Sequence, residues 1–278
     1  MAATPSPLLQ LAARQDTRLL PATVERRAAL RRAERAVSSL QIDPGQCPGS
    51  LGAERYAALY RDLAGAREAL GDPAGALAAI ELAISCEPRN VEHRSSRVWQ
   101  LIRLDRWDEA GQQVLQALAI RPELPMLNAL SMGIDFGARR WNAAAQRART
   151  LAAADTGSEL ELYAQLFLLL TETRTGSSGP RVEARRLSEG WPRPVLRHLL
   201  GELDEAALAD EIARLDSAAL RRERLAEALF YTGERLLGEG QRDAARQRLA
   251  MAMTMRSFNL LEHDLARREL AALRAGTP

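Results

Sequence analysis

Residues 57–90 read AALYRDLAGAREALGDPAGALAAIELAISCEPRN. The stretch holds two helical patterns joined by one turn. Tyr60, Leu63 and Ala64 recur at the three- and four-residue steps of a helix face. Gly71 closes that helix, because a residue without Cβ enters the left-handed conformation at little cost. Asp72 then stands as N-cap and Pro73 at the first helical position, where each is favoured. The second helix carries Ala76, Ile80 and Ala83 and stops at Pro88. Small Ala64, Ala76 and Ala83 let the two backbones approach, and Ile80 fills the remaining space.

The pattern returns along the chain. Pro88 and Pro122 are 34 residues apart, as are Trp107 and Trp141, and Ala76, Ala110 and Ala144 take the same step twice. A period of 34 is that of the tetratricopeptide repeat (TPR), a helix-turn-helix unit that stacks into a solenoid. The implied frames are 57–90, 91–124 and 125–158. In the second, helix B is clear at Trp107, Ala110, Val114 and Ala117, whereas helix A carries Arg94 and Arg97 where apolar residues are expected. The third keeps Trp141, Ala144 and Ala148 but has Thr156 in place of proline. A fourth frame, 226–259, places Leu229, Gly233, Leu236, Gly240, Ala245, Leu249 and Ala252 at the expected positions.

Composition agrees with an all-α protein. Apolar residues make up 46% of the 278 and aromatic ones only 4%, so Leu and Ala must fill the interior. All 38 basic residues are Arg, against 36 acids. Without lysine there is no Schiff-base amine, pyridoxal-phosphate anchor or Walker A lysine. No apolar run approaches the 18 or so residues of a membrane span. The fold expected is an α-solenoid of TPR helix pairs, a single domain over 21–278. Residues 1–20, interrupted by proline, are expected to be disordered. Residues 22–40 read as a basic amphipathic helix with Leu30, Ala33, Val37 and Leu40 on one side. Ser158 with Glu161 reads as a capping box opening an apolar helix. Short helices are expected near 180–187, 193–201 and 204–214, and a closing helix over 259–274.

Little in the chain points to catalysis. His93, His198 and His263 are scattered, and the G-x-S-x-G, H-E-x-x-H and G-x-G-x-x-G patterns are missing. No catalytic, cofactor or metal residue is assigned. Arg26, Arg27, Arg31, Arg32 and Arg35 form a basic run that reads as a solvated or dimer-contact face, with phosphate or anionic lipid as the sharper reading. Trp107 and Trp141 fall where an aromatic packs the helix junction. Trp99 and Arg103, four apart, fall at positions facing a solenoid's inner groove, and Arg61 and Phe136 join them there. Trp and Arg dominate binding hot spots, so Arg61, Trp99, Arg103 and Phe136 are the candidate partner-binding groove.

The end of the chain resembles a known family. Phe230-Tyr231-Thr232-Gly233, Leu237-Gly238-Glu239-Gly240 and Asn259-Leu260-Leu261-Glu262-His263, with Glu269-Leu270 beyond, resemble the closing repeat and helix of the NlpI family of bacterial outer-membrane lipoproteins. Trp191, Val195-Leu196 and Leu199-Leu200-Gly201-Glu202-Leu203 resemble that family's short helices before the repeat. The likeness covers roughly residues 22–274. It implies a homodimeric periplasmic scaffold that brings peptidoglycan hydrolases, especially endopeptidases, to a C-terminal processing protease. It also implies a lipid anchor on an N-terminal Cys. Cys47, within Pro-Gly-Gln-Cys, lies in no lipobox, so a mature chain in which Met1 replaces the lipidated Cys is the expectation.

Cys47 precedes helix A of the first frame and Cys86 ends its helix B. A buried free thiol at Cys86 and a disulfide between the two both stay open, the latter in an oxidising periplasm. The function expected is a non-enzymatic adaptor with proteins as partners, without cofactor or nucleic acid, touching the membrane only through a lipid anchor. Its compartment is the periplasm if a lipobox was removed and the cytoplasm otherwise. The alternatives are a cytoplasmic TPR co-chaperone or regulatory subunit, and an Arg-rich nucleic-acid binder. A co-chaperone clamp is not recognisable in Arg61, Gly65, Ser95 and Trp99.

Overall fold

The computed structural model describes residues 6–15, 23–40, 47, 50–153, 158–176, 190–255, 257 and 260–276. Among them are fourteen helices and no strand. They are α1 (Pro7–Ala13), α2 (Thr23–Ser38), α3 (Ser50–Ala69), α4 (Pro73–Cys86), α5 (Val91–Arg103), α6 (Trp107–Ile120), α7 (Pro125–Gly137), α8 (Trp141–Ala152), α9 (Glu159–Thr175), α10 (Arg193–Leu199), α11 (Glu205–Ala213), α12 (Ala218–Gly238), α13 (Arg242–Thr254) and α14 (Leu261–Ala275). Neighbouring helices pack in succession, α2 on α3, α3 on α4, α4 on α5 and α5 on α6. Further on, α8 packs on α9, α12 on α13 and α13 on α14.

One turn recurs at the fifteenth position of all four frames. Gly71, Asp105, Arg139 and Gly240 have φ of +76°, +60°, +59° and +78°. In each, the following amide donates back to the carbonyl five residues earlier: Asp72 to Arg67, Arg106 to Leu101, Arg140 to Asp135 and Gln241 to Leu236, at 2.8–3.0 Å. These are the bonds that satisfy the last carbonyls of a helix ending in the left-handed conformation. The sequence supplies Gly at two of these turns. Asp and Arg adopt the same conformation at the other two, a strained choice held by the helices on both sides. After the first turn the Asp72 carboxylate accepts from the Gly75 amide at 2.8 Å, capping α4.

The expected faces are the buried ones. Tyr60, Leu63 and Ala64 meet Ala76, Ile80 and Ala83, and all six are buried. Ala110, Val114 and Ala117 of α6, and Ala144 and Ala148 of α8, are buried as well. In the last pair a Cβ on Gly233 would lie 3.1 Å from the Leu249 side chain, so glycine there sets how closely α12 and α13 approach.

The described residues divide into two compact units. One lies within Leu19–Leu127, and the other combines residues of Met1–Arg18 with Asn128–Pro278. The segment 1–20, expected to be disordered, contains ordered residues. Residues 7–13 form a helix: Ser6 caps it, and the Ser6 hydroxyl and Leu8 amide both donate to the Glu205 carboxylate. Leu8 and Ala12 are buried as α1 packs on α11, α12 and α13. Those two apolar residues, one helical turn apart, outweigh the prolines around them. The helix expected over 180–187 lies outside the described residues. Ser158 is the N-cap of α9 by conformation, but its side chain makes no capping bond.

Cys47 and Cys86 form a disulfide, with Cα atoms 5.3 Å apart. It ties the segment before α3 to the end of α4 across 39 residues of chain. In the loop-entropy account a closure of this length contributes about 4 kcal/mol. Urea unfolding of the Leu19–Leu127 unit should therefore shift by that amount between oxidised protein and Cys47→Ser/Cys86→Ser. An unmoved midpoint would show that the bridge constrains nothing in the unfolded chain.

Candidate functional site

The face read as a groove lies on α3 and α5. Glu68 joins the two helices: its Oε1 is 2.5 Å from a guanidinium nitrogen of Arg103, and its Oε2 accepts from the Gln100 side-chain amide at 2.8 Å. Arg61 lies seven residues before Glu68, on the same side of α3, and Trp99 lies four before Arg103 on α5. Arg61 is exposed and pairs with neighbouring Asp62 at 3.4 Å. Trp99 is half-buried. Arg103 is not the free guanidinium the sequence suggested. Its side chain is 17% exposed and held by Glu68, so it positions the face rather than offering itself.

Phe136 does not belong to this face. It is fully buried, with the Trp141 and Phe167 rings edge-on at 5.1 Å each. A helical position that would face a groove in an ideal repeat here faces α8 and α9. The two junction tryptophans do pack as expected. Trp107 is 2% exposed and donates from Nε1 to Asp105 at 2.6 Å. Trp141 has the Arg174 guanidinium over its ring at 5.6 Å. Arg94 and Arg97, anomalous as helix A residues, reach α6: they donate to Gln116 and Gln113 at 3.0 and 3.1 Å, and Arg97 also pairs with Glu81.

A second polar constellation escaped the sequence reading. It runs through α9, α12 and α14. At one end Tyr163 and Trp191 donate to one oxygen of Glu227 at 2.6 and 2.8 Å, and Arg224 donates to the other at 3.1 Å. Tyr231 donates to Glu262 at 2.7 Å. At the other end Arg174 pairs with Glu234 at 2.6 Å and Glu269 at 3.4 Å, and Arg139 reaches Glu269 at 3.2 Å. All four glutamates are buried. Their spacing was a usable signal, since Glu227/Glu234 and Glu262/Glu269 each stand seven apart, two helical turns, within apolar stretches.

The environment perturbs these groups. Burial, then the nearby Glu262 carboxylate, pushes Glu227 up to about 7 against its hydrogen bonds from Tyr163 and Trp191. Burial also raises Glu262, Tyr163 and Tyr231 above their ordinary ranges. A group whose folded pKa is raised stabilises the fold fully below its unfolded pKa and loses that contribution as pH rises through the folded value. For Glu227 the window is therefore roughly pH 4.5–7, and the full effect is about 3 kcal/mol. Melting temperature should fall as pH rises from 4.5 to 7, a trend to which Glu234, also pushed up to about 7 by burial, adds, and the fall should become shallower in Glu227→Gln. A flat wild-type profile would contradict this account of Glu227.

A perturbed carboxylate in a cleft is a catalytic signature. The two best-formed hollows among the described residues are lined elsewhere. One, of about 220 Å³, lies among Leu169, Leu170, Thr173, Leu199, Leu200, Arg235 and Glu239. The other involves Asn128, Ala143, Gln146, Arg147, Thr150 and Leu151. Each glutamate of the seam already has its partner, as a structural clamp requires. His93, His198 and His263 do not meet: His93 bonds Glu87 at 2.8 Å and His198 the Leu203 carbonyl at 2.9 Å. No group of three or more His, Cys, Asp or Glu among the described residues is arranged to hold a metal. No family model matches the chain, and no curated protein matches it significantly.

Proposed function

We propose that the protein is a non-enzymatic adaptor of stacked TPR-type helix pairs that binds another polypeptide on the α3/α5 face. The observation that carries this is the face itself. A half-buried Trp99 and an exposed Arg61 sit on two helices locked together by Glu68, Gln100 and Arg103. Such a surface is preorganised, so partner binding need not order it first. The left-handed turn at one position of four frames supports the TPR reading. The disulfide supports an oxidising compartment and so favours a periplasmic protein over a cytoplasmic co-chaperone. With the resemblance to the NlpI family, the reading is a homodimeric scaffold presenting peptidoglycan endopeptidases to a periplasmic processing protease, anchored by lipid to the outer membrane.

The test is a titration of that protease or of an endopeptidase with wild-type and altered adaptor. Trp99→Ala is expected to weaken binding at least tenfold, in line with the loss of about 2 kcal/mol that an aromatic anchor typically shows. Helicity should be unchanged. Trp107→Ala should lower the melting temperature while folded molecules still bind. Normal binding by Trp99→Ala would place the contact elsewhere and remove the support for this face.

A further inference from the structure

The outward face of α2 is a row of unused positive charge. Wound at 100° per residue, α2 places Ala29, Leu30, Ala33 and Val37 on one side, the side packed on α3. The opposite side carries Val24, Arg27, Ala28, Arg31, Arg32 and Arg35, and the acids Glu25 and Glu34 fall at its two margins. Arg27, Arg31, Arg32 and Arg35 are exposed and make no hydrogen bond or ion pair among the described residues. Most other arginines among the described residues are engaged: Arg26, on the packed side, donates to the Ala69 carbonyl at 3.0 Å, and Arg94, Arg97, Arg103 and Arg174 all have partners. Val24, 78% exposed, stands at the start of the row.

We infer that this face docks on an anionic lipid surface, its guanidiniums on headgroup phosphates. The inference is independent of the adaptor reading, since α2 carries none of the groove residues. Three considerations choose the occupant. Arg27, Arg31 and Arg35 step by four residues, about 6 Å each, and form a straight rigid row. A guanidinium binds phosphate in bidentate fashion. Against an acidic peptide, exposed ion pairs contribute at most about fivefold each and often nothing, because both side chains must hold one geometry. With Val24 the only large apolar residue on the row, nothing else would hold such a peptide. A charged bilayer makes no such demand, and each basic residue near it is worth about fivefold. Single-stranded nucleic acid is the poorer fit, as the row offers no aromatic side chain on which a base could stack, and a duplex binder usually carries a stronger basic excess than this chain's +2. No helix among the described residues is long and apolar enough to cross a membrane, so the contact is peripheral.

The experiment is co-sedimentation of the full chain with vesicles of phosphatidylglycerol and phosphatidylcholine, and with vesicles of phosphatidylcholine alone. Wild type should bind the anionic vesicles and release as salt rises from 50 to 500 mM. Arg27→Gln/Arg31→Gln/Arg35→Gln should bind about 100-fold more weakly, with an unchanged melting curve. Arg89→Gln/Arg214→Gln/Arg274→Gln removes the same charge from exposed residues elsewhere and should bind like wild type. The inference is overturned if wild type ignores anionic vesicles, binds neutral ones equally, or loses binding equally in both triple variants. Tighter binding to polyglutamate or to a DNA duplex than to the vesicles would also overturn it, naming a peptide or nucleic-acid partner instead.

Discussion

Arg174→Ala is expected to lower the unfolding free energy by about 3–5 kcal/mol, the range seen when one partner of a buried ion pair is removed. Arg174 is 14% exposed and sits between Glu234, wholly buried, and Glu269. Truncation removes the 2.6 Å partner that holds down Glu234, already pushed up to about 7 by burial, so its carboxyl must take up a proton or bear an uncompensated charge, and it strips the cation from the Trp141 face. The loss should show in denaturant unfolding of the part of the chain that contains α9, α12 and α14. Because the penalty arises from the carboxyls left without their cation, Arg174→Met combined with Glu234→Gln and Glu269→Gln should recover much of it. A triple variant less stable than Arg174→Ala would mean that the charges contribute net stability as a set, against the usual behaviour of buried pairs.

Phe136→Ala should cost a comparable 3–5 kcal/mol, the usual range for deleting a buried phenyl ring. The ring lies between Trp141 and Phe167, and Phe167 in turn stands 5.9 Å from Tyr231, the donor to Glu262. The cavity would therefore loosen the aromatic row beside the glutamates. A groove residue would behave in the opposite way, with stability kept and binding lost. Melting curves together with a partner titration separate the two roles. A Phe136→Ala protein that melts like wild type but binds poorly would restore Phe136 to the groove.

The two residues show where the sequence was legible. Helix pairs were visible because Ala76, Ala110 and Ala144 fill equivalent close contacts, and a contact that admits only a small side chain leaves a periodic trace. The turns were visible at Gly71 and Gly240 but not at Asp105 and Arg139, where packed helices impose a conformation those residues do not prefer. Phe136 was misplaced because repeat position alone does not say which helix follows. In this chain α9 arrives to cover it. Arg103's partner Glu68 stands 35 residues away, and no local pattern announces that pair. The Glu227–Glu269 seam depends on three helices meeting, so only its two seven-residue spacings were written in the chain. Helix α1 was overlooked because Leu8 and Ala12 gain their burial from α11, α12 and α13 and the helix start gains its bonds from Glu205, all distant in the chain and unannounced by its own seven residues.

The most direct measurement of the adaptor reading is amide hydrogen exchange on the full chain, with and without the processing protease or an endopeptidase at saturating concentration. Binding on the α3/α5 face predicts added protection over residues 58–69 of α3 and 93–103 of α5, with α13 and α14 unchanged. Protection confined to α12–α14, or no change anywhere at concentrations where an unrelated helical protein also shows none, would contradict it.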